Sequence, residues 1–207
     1  MQCGAPRCLP LWKEATRPNG ASQMQATEVT LRQLQGAPDE IAELQGALEG
    51  APTYSQLITG SLPGPSDARS TCSALPPNKT YADKFVFGIY ANARCVGCID
   101  LIRAYPTSDT AMLGLLLVAE RFHGQGIGRR AFELVEIFIR SWGTCNRVRI
   151  GVVETNRRTL PFWQSLGFQP TGEIKPYHYA SVSSRVVVLE RALPDASRDA
   201  AIHWLHG

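Results

Sequence analysis

The residues best suited to chemistry lie in one run, Leu115–Phe132, which reads LLLVAERFHGQGIGRRAF. An apolar, strand-like segment, Met112–Ala119, is followed by Gly124, Gly126 and Gly128 at alternate positions. Apolar residues then recur at Ile127, Ala131, Leu134, Val135, Phe138 and Trp142, the spacing of a one-faced helix. Glycines at such a junction let successive backbone N–H groups point one way, and the helix start adds its partial positive charge. The chemistry implied is anion capture, and a pyrophosphate is the natural guest. Side chains at those positions would block the phosphate or forbid the backbone angles. A plain tight turn does not need three alternating glycines flanked by Arg121, Arg129 and Arg130.

Two familiar nucleotide-binding patterns fail on particular residues. G-x-G-x-x-G wants glycine at position 129, where the chain has Arg129, and an acidic residue about 20 positions on, where it offers Asn146. The P-loop pattern wants a lysine after its last glycine, and none stands there.

The elements that must hold this turn are readable on both sides. Glu28–Arg32 alternates like a strand, and Pro38-Asp39-Glu40 opens a helix running to about Leu48. Gly50, Pro52, Gly60, Pro63, Gly64 and Pro65 then break the chain into short pieces, the kind of irregular segment that walls a substrate pocket. Ser66–Leu75 reads as one more helix. From Lys84 the period becomes two: KFVFGIY and RCVGCIDLIRAY are strands joined at Ala91-Asn92-Ala93. The helix from Ile127 runs to Trp142 and stops at Gly143. Arg147–Val153 is a buried strand, and Asn156–Leu166 a short helix closed by Gly167 with Phe168 behind it. Pro161 fits only a first turn, so the regular part starts near Thr159. Gly172–Tyr177 and Arg185–Leu189 are the last two strands. Residues 1–23 read as a flexible tail, with Met24 an alternative start, 24–193 as one domain and 194–207 as an extension.

Composition narrows the class. The 207 residues are 44% hydrophobic and 19% charged, a globular balance, and no apolar run approaches the length of a membrane span. A net charge of +3, from 21 basic and 18 acidic residues, is too small and scattered for a dedicated nucleic-acid binder. Six cysteines without a recognisable secretion signal predict reduced thiols and a cytoplasmic protein, monomeric or homodimeric. Cys95 and Cys98 form C-x-x-C, but residues three apart on a strand face opposite sides, and His203-x-x-His206 falls in the extension. No metal is expected.

The glycine run and Asn156–Phe168 together resemble the GNAT superfamily of acetyl-CoA-dependent N-acetyltransferases. That family's signature is Q/R-x-x-G-x-G/A after a strand, matched by His123-Gly124-Gln125-Gly126-Ile127-Gly128 with His123 in the first place; Arg121, Gly124 and Gly126 satisfy it two residues earlier. NRRTLPFWQSLGF resembles the family's N-x-x-A-x-x-x-Y-x-x-x-G-F helix, with Trp163 where the family has tyrosine. The resemblance spans about Thr27 to Leu193. It implies a mixed α+β fold: a mostly antiparallel sheet of six to seven strands, splayed between the fourth and fifth, flanked by about four helices.

It also implies roles. Leu116 and Val118 offer backbone groups to the pantetheine arm, and the Val118 N–H is the oxyanion donor, a preorganised amide aimed at developing charge. His123, Gly124, Gln125, Gly126, Ile127, Gly128 and Arg129 wrap the pyrophosphate, and Asn156 contacts the cofactor arm while capping its helix. Arg130, Arg157 and Arg158 stand ready for the remaining phosphates. The reaction implied is direct attack of a primary amine, of a small molecule or a peptide, on the thioester in a ternary complex. An ammonium near pKa 10 must first lose a proton, and Glu120, Glu154 and Asp100 are the candidate bases. Trp163 packs under the cofactor and is no practical acid; Tyr177 and Tyr179, expected on a loop after the sixth strand, are substitutes. The missing tyrosine keeps open a non-catalytic acetyl-CoA sensor, and the fold also serves as a cofactor-free interaction module, which the intact glycines and Asn156 disfavour. The loops around Tyr54–Ser66, Lys79–Asp83 and Tyr177–Ser184 carry few acids, so a polycationic aminoglycoside is a poor fit.

Overall fold

The structure is a computed structural model that describes residues 27–194. The tail over 1–23, the start at Met24, the extension beyond Pro194 and the His203-x-x-His206 pair lie outside the described residues. The strands are β1 (Val29–Gln33), β2 (Lys84–Ala91), β3 (Arg94–Ile102), β4 (Thr110–Val118), β5 (Arg147–Val153), β6 (Gln169–Tyr179) and β7 (Val182–Ala192). They form one sheet in the order β1-β2-β3-β4-β5-β7-β6. Every neighbouring pair is antiparallel except β4 and β5.

The β4–β5 exception organises the molecule. The two strands pair only over Thr110–Met112 against Arg147–Arg149 and then part. The cause is visible on the other side of β4. Its register against β3 runs Asp100↔Leu115 and then Leu101↔Leu113, leaving Gly114 as an extra residue. Such a bulge bends its strand and adds twist, and here it turns the rest of β4 away from β5.

Helices α1 (Pro38–Glu49), α2 (Pro52–Thr59) and α3 (Asp67–Ser73) lie against one face of the sheet, α4 (Ile127–Ser141) against the other, and α5 (Leu160–Ser165) follows β5. Proline opens α1, and the Glu40 carboxylate reaches back to accept the N–H groups of Ala37 (3.1 Å) and Gln35 (2.7 Å), satisfying donors the helix start leaves free. Period-two alternation supplies both core layers from the same strands. Ile99 and Leu101 face α4, where Ala131, Phe132, Val135 and Ile139 are fully buried; Cys98 and Val86 face α1 and α3, with Leu44, Leu48 and Ala68. Each buried Val, Leu, Ile or Phe side chain among them contributes about 1.5–3 kcal/mol. Among the described residues, no helix is long and apolar enough to cross a membrane.

The described elements depart from the sequence expectation in two places. The broken segment after Gly50 contains a regular helix, α2, which brings the α-helices to five. The last two strands are longer than expected, and β6 runs on to Tyr179. Tyr177 and Tyr179 therefore sit on a strand and not on a loop. Pro170 and Pro176 are compatible with β6 because it is an edge strand, where a missing N–H breaks no necessary bond. The hairpin expected at Ala91-Asn92-Ala93 turns on two residues, since Ala91 pairs with Arg94 as the end of β2; Asn92 and Ala93 are both at positive φ (48° and 64°), the signature of the primed turn that matches strand twist.

Candidate active site

Where β4 and β5 part, a cleft of about 980 Å³ opens. The sheet register decides which backbone groups face it. The Ala119 N–H donates to Val96 O at 2.8 Å, so alternate residues of β4 turn their amides toward β3. Leu116 and Val118 lie between those positions, and their N–H groups point to the side from which β5 has withdrawn. Both residues line the cleft. The His123 imidazole comes back over this strand, its Nε2 2.7 Å from Val118 O. Sequence reasoning expected that ring to address phosphate; the structure engages one of its nitrogens with the strand.

The glycine turn forms the next stretch of wall. Gly124 and Gly126 take φ of 75° and 76°, left-handed angles that other residues adopt only with strain, and each has open space where a Cβ would stand. Gly128 is under neither constraint: a Cβ there would stand in ordinary contact with the Phe162 ring at 3.4 Å and with Leu116 at 3.7 Å. The His123 N–H donates to Glu120 O, and the first bond of α4 runs from the Arg130 N–H to Gly126 O. The N–H groups of Gly126, Ile127, Gly128 and Arg129 have no partner within the helix, and Gly126 at the N-cap carries no side chain to cap them. A 15-residue helix thus presents its donors and its positive dipole end to the cleft. Arg129 is fixed beside them by bonds to Ser165 O (3.2 Å) and Oγ (2.9 Å).

The opposite wall comes from the 3-10 turn Glu154–Thr159 and from α5. Asn156 is buried, with a non-helical backbone, and its Oδ1 accepts from Arg158 Nε at 3.4 Å. Trp163 is buried edge-on against Phe162 and Phe168, a packing arrangement beneath the cleft floor. Arg158 lines the cleft; Arg130 pairs with Glu133 on the outer surface of α4.

The third wall, α2, went largely unread in the sequence. Its last carbonyls, orphaned by the helix end, are each met by a distant side chain: Leu57 O by Thr155 Oγ1 (2.7 Å), Ile58 O by Tyr177 OH (3.0 Å) and Thr59 O by Ser181 Oγ (3.3 Å). These bonds hold Tyr54 and Ile58 over the cleft, with Tyr177 facing them. Burial pushes the Tyr54 phenol above its ordinary range, and does the same to Tyr177. Tyr179 is 59% exposed and stands apart from this wall. The glycine inside the apolar run Met112–Ala119 was the available signal for the bulge that opens the cleft.

The three candidate carboxylates have different fates. Glu120 lines the cleft, but it accepts the Thr53 N–H at 2.8 Å, and hydrogen bonding from Thr53 holds its carboxyl below the usual range. Glu154 is absent from the cleft wall and makes a two-pronged pair with Arg185 (2.8 and 2.9 Å). Asp100 lies behind β4, paired with Lys84 Nζ at 2.6 Å; burial pushes its carboxyl up and the Lys84 bond pulls it back. Among the described residues Cys72, Cys95, Cys98 and Cys145 are free thiols, and no group of three or more His, Cys, Asp and Glu residues could hold a metal ion.

Comparison with known proteins agrees with this geometry. An acetyltransferase from Thermus thermophilus superposes with a TM-score of 0.65 at 24% identity, over 82% of this chain and all (100%) of that one. The ribosomal-protein-S18-alanine N-acetyltransferase from Escherichia coli gives a TM-score of 0.57 at 15% identity, over 82% of this chain and 96% of that one. A GNAT family acetyltransferase from Elizabethkingia anophelis with acetyl-CoA bound gives 0.54 at 17% identity, over 80% and 98%. No curated protein matches significantly. The model of the acetyltransferase (GNAT) family matches residues 59–168, more than half of the chain. The matched segment contains β4, the glycine turn, α4 and β5, the elements that form the cleft, and this chain belongs to the GNAT acetyltransferases.

Proposed function

We propose that the protein is an N-acetyltransferase that moves an acetyl group from acetyl-CoA to a primary amine by direct attack in a ternary complex. The observation that carries this reading is the continuity of one surface. The four orphan N–H groups at the start of α4 adjoin the free strand amides of Leu116 and Val118. The first set suits a diphosphate, the second a pantetheine amide and then the oxygen of a thioester in which negative charge builds. Arg129 and Arg158 add positive charge at the phosphate end, and Asn156 stands across from the strand amides. Acetyl-CoA bound to the Elizabethkingia relative, and amine acetylation by the Escherichia coli enzyme, agree with the reading.

Trp163 does not weigh against turnover. A thiol with pKa near 8.5 leaves as thiolate without much help, so a proton donor at that position is dispensable. The same reading puts the protein in the cytosol, where its thiols stay reduced. The test is release of free thiol from acetyl-CoA against a panel of amines. Amine-dependent release supports the transferase. Binding of acetyl-CoA with no release on any panel member leaves a sensor domain instead, and no binding removes both.

A further inference from the structure

Helix α2 begins without a cap of its own. Its N-cap residue, Ala51, has no side-chain oxygen, and Pro52 has no N–H, so the Thr53 N–H is the first donor that the helix start leaves free. Its partner comes from 67 residues away: Glu120 Oε1 accepts it at 2.8 Å. A carboxylate at the positive end of a helix is favoured by the dipole as well as by the bond. Hydrogen bonding from the Thr53 side chain, and then from its N–H, holds that carboxyl below the usual range, with His123 and Arg158 adding to the effect. A carboxylate kept ionised in this way is a weak proton acceptor.

The backbone of the same residue belongs to the other half of the cleft. The Glu120 N–H donates to Gly50 O at 2.8 Å, and its carbonyl accepts the His123 N–H at 3.0 Å, where the glycine turn begins. Glu120 thus joins the cofactor turn through its main chain and the α2 wall through its side chain, and a substitution there separates the two. The far end of α2 is held by Thr155, Tyr177 and Ser181. With Glu120 at its start the helix is pinned at both ends, and its Tyr54 and Ile58 are kept in the cleft wall. Tyr54 follows Thr53 directly and packs on the core cluster that includes Leu117 of β4, so a shift of the helix start carries its ring along.

We propose, resting on the transferase reading above, that Glu120 is a positioning residue for the acceptor: its carboxylate caps α2 and so fixes the wall against which the amine is seated. Ala and Gln in its place test this. Both remove the charge and neither can take up a proton, but only Gln can still accept the Thr53 N–H. The panel is phenethylamine, spermidine, glycinamide and a peptide with an amino-terminal alanine, with the full chain and acetyl-CoA. Kinetics then follow the member that the unaltered protein turns over fastest. Glu120→Ala raises the KM for that amine by about tenfold or more, the worth of one charge-assisted hydrogen bond, while the Kd for acetyl-CoA does not rise. Glu120→Gln restores KM to within about threefold of the unaltered protein and holds kcat within the same factor. Hydrogen exchange reads the cap without any amine: the Thr53 amide exchanges at least about tenfold faster in Glu120→Ala than in Glu120→Gln. A fall in kcat of about 100-fold or more in both variants makes Glu120 the base and overturns the assignment. So does a KM in Glu120→Ala within about twofold of either the unaltered protein or Glu120→Gln, or equal exchange of Thr53 in the two variants. No thiol release by the unaltered protein on any panel member brings down the transferase reading itself, and this role with it, whatever the exchange of Thr53 shows.

Discussion

Gly126 offers the sharpest test of the anion cradle, because two nearly identical side chains can be placed there that differ in one charge. The residue has φ 76° and ψ −4°, and a Cβ would meet nothing within 4 Å. Asp and Asn are the non-glycine residues most at ease at such angles, so Gly126→Asp and Gly126→Asn each strain the backbone by about 1–2 kcal/mol at most. Either side chain can cap the start of α4 from the N-cap position, which returns about 1 kcal/mol to the fold. Both variants should therefore stay folded with similar melting temperatures. Both also set a side-chain oxygen against the donors a diphosphate would use, so both bind coenzyme A more weakly than the unaltered protein. The difference between them is electrostatic. A carboxylate about 4 Å from each of two phosphate charges is repelled by about 1 kcal/mol per charge in a water-like medium, and about 4 where the effective dielectric constant is 20. The sum, about 2–8 kcal/mol, predicts that the Asp variant binds at least about 30-fold more weakly than the Asn variant. Isothermal titration with coenzyme A at low salt measures it, and the gap should narrow as added salt shortens the screening length. Equal dissociation constants for the two variants, both folded, would refute the location of the diphosphate.

Three further outcomes follow from other parts of the cleft. Gly60, the C-cap of α2, has φ 80°, and a Cβ there would fall 2.0 Å from Ser181 Oγ; Gly60→Ala should cost about 1–2 kcal/mol in backbone strain alone. It should also loosen the acceptor wall, lowering the melting temperature and raising the KM for amine with acetyl-CoA binding intact, and an unchanged melting temperature would contradict this. The Glu120 carboxyl is held below its ordinary value by Thr53, so its contribution to stability is full above about pH 4.5 and is lost as pH falls through its lowered folded value. Glu120→Gln does not titrate there, so the stability difference between it and the unaltered protein should shrink on acidification below that pH; a constant difference would show that the Thr53 bond is not ionic. Phe168 is fully buried edge-on against Phe132 of α4 and Trp163 of α5. Phe168→Ala should lower stability by about 3–5 kcal/mol in denaturant titration, with a smaller loss expected only if the neighbouring rings collapse into the space.

What the sequence revealed of the fold followed the strength of its periodicity. Helix α4 and strand β5 fall within a residue of their expected bounds because both bury a full face, and the pattern of burial is the pattern of the sequence. β6 was underestimated for the opposite reason. Nearly all of it is exposed at the sheet edge, so there is no apolar alternation to read, and Pro170, Gly172 and Pro176 look like breakers. α2 was hidden by the glycines and prolines around it. Its end is held by Thr155, Tyr177 and Ser181, which lie 98, 119 and 122 residues away from the carbonyls they bind. No local pattern carries such information.

The site divides along the same line. An anion cradle is made of backbone, and its requirements of small residues at left-handed angles and a helix start without a cap are written within a few consecutive residues, from Gly124 to Gly128. A base or an amine receptor is a side chain, and its availability depends on who else has claimed it. Glu120, Glu154 and Asp100 are equivalent as letters, yet a backbone amide 67 positions away engages one oxygen of the first, an arginine 31 away both oxygens of the second, and a lysine 16 away one oxygen of the third. His123 shows that even a neighbour only five positions back can redirect a side chain, since Val118 O engages a ring nitrogen that the sequence assigned to phosphate. Gly114 lines the cleft, and a Cβ on it would stand 3.4 Å from Asp100 Oδ2, so the bulge that parts the strands also leaves the space beside that carboxylate empty. The parting of β4 from β5 and the cradle at the start of α4 are thus written in a few neighbouring glycines, whereas the fate of each carboxylate is decided by partners far along the chain.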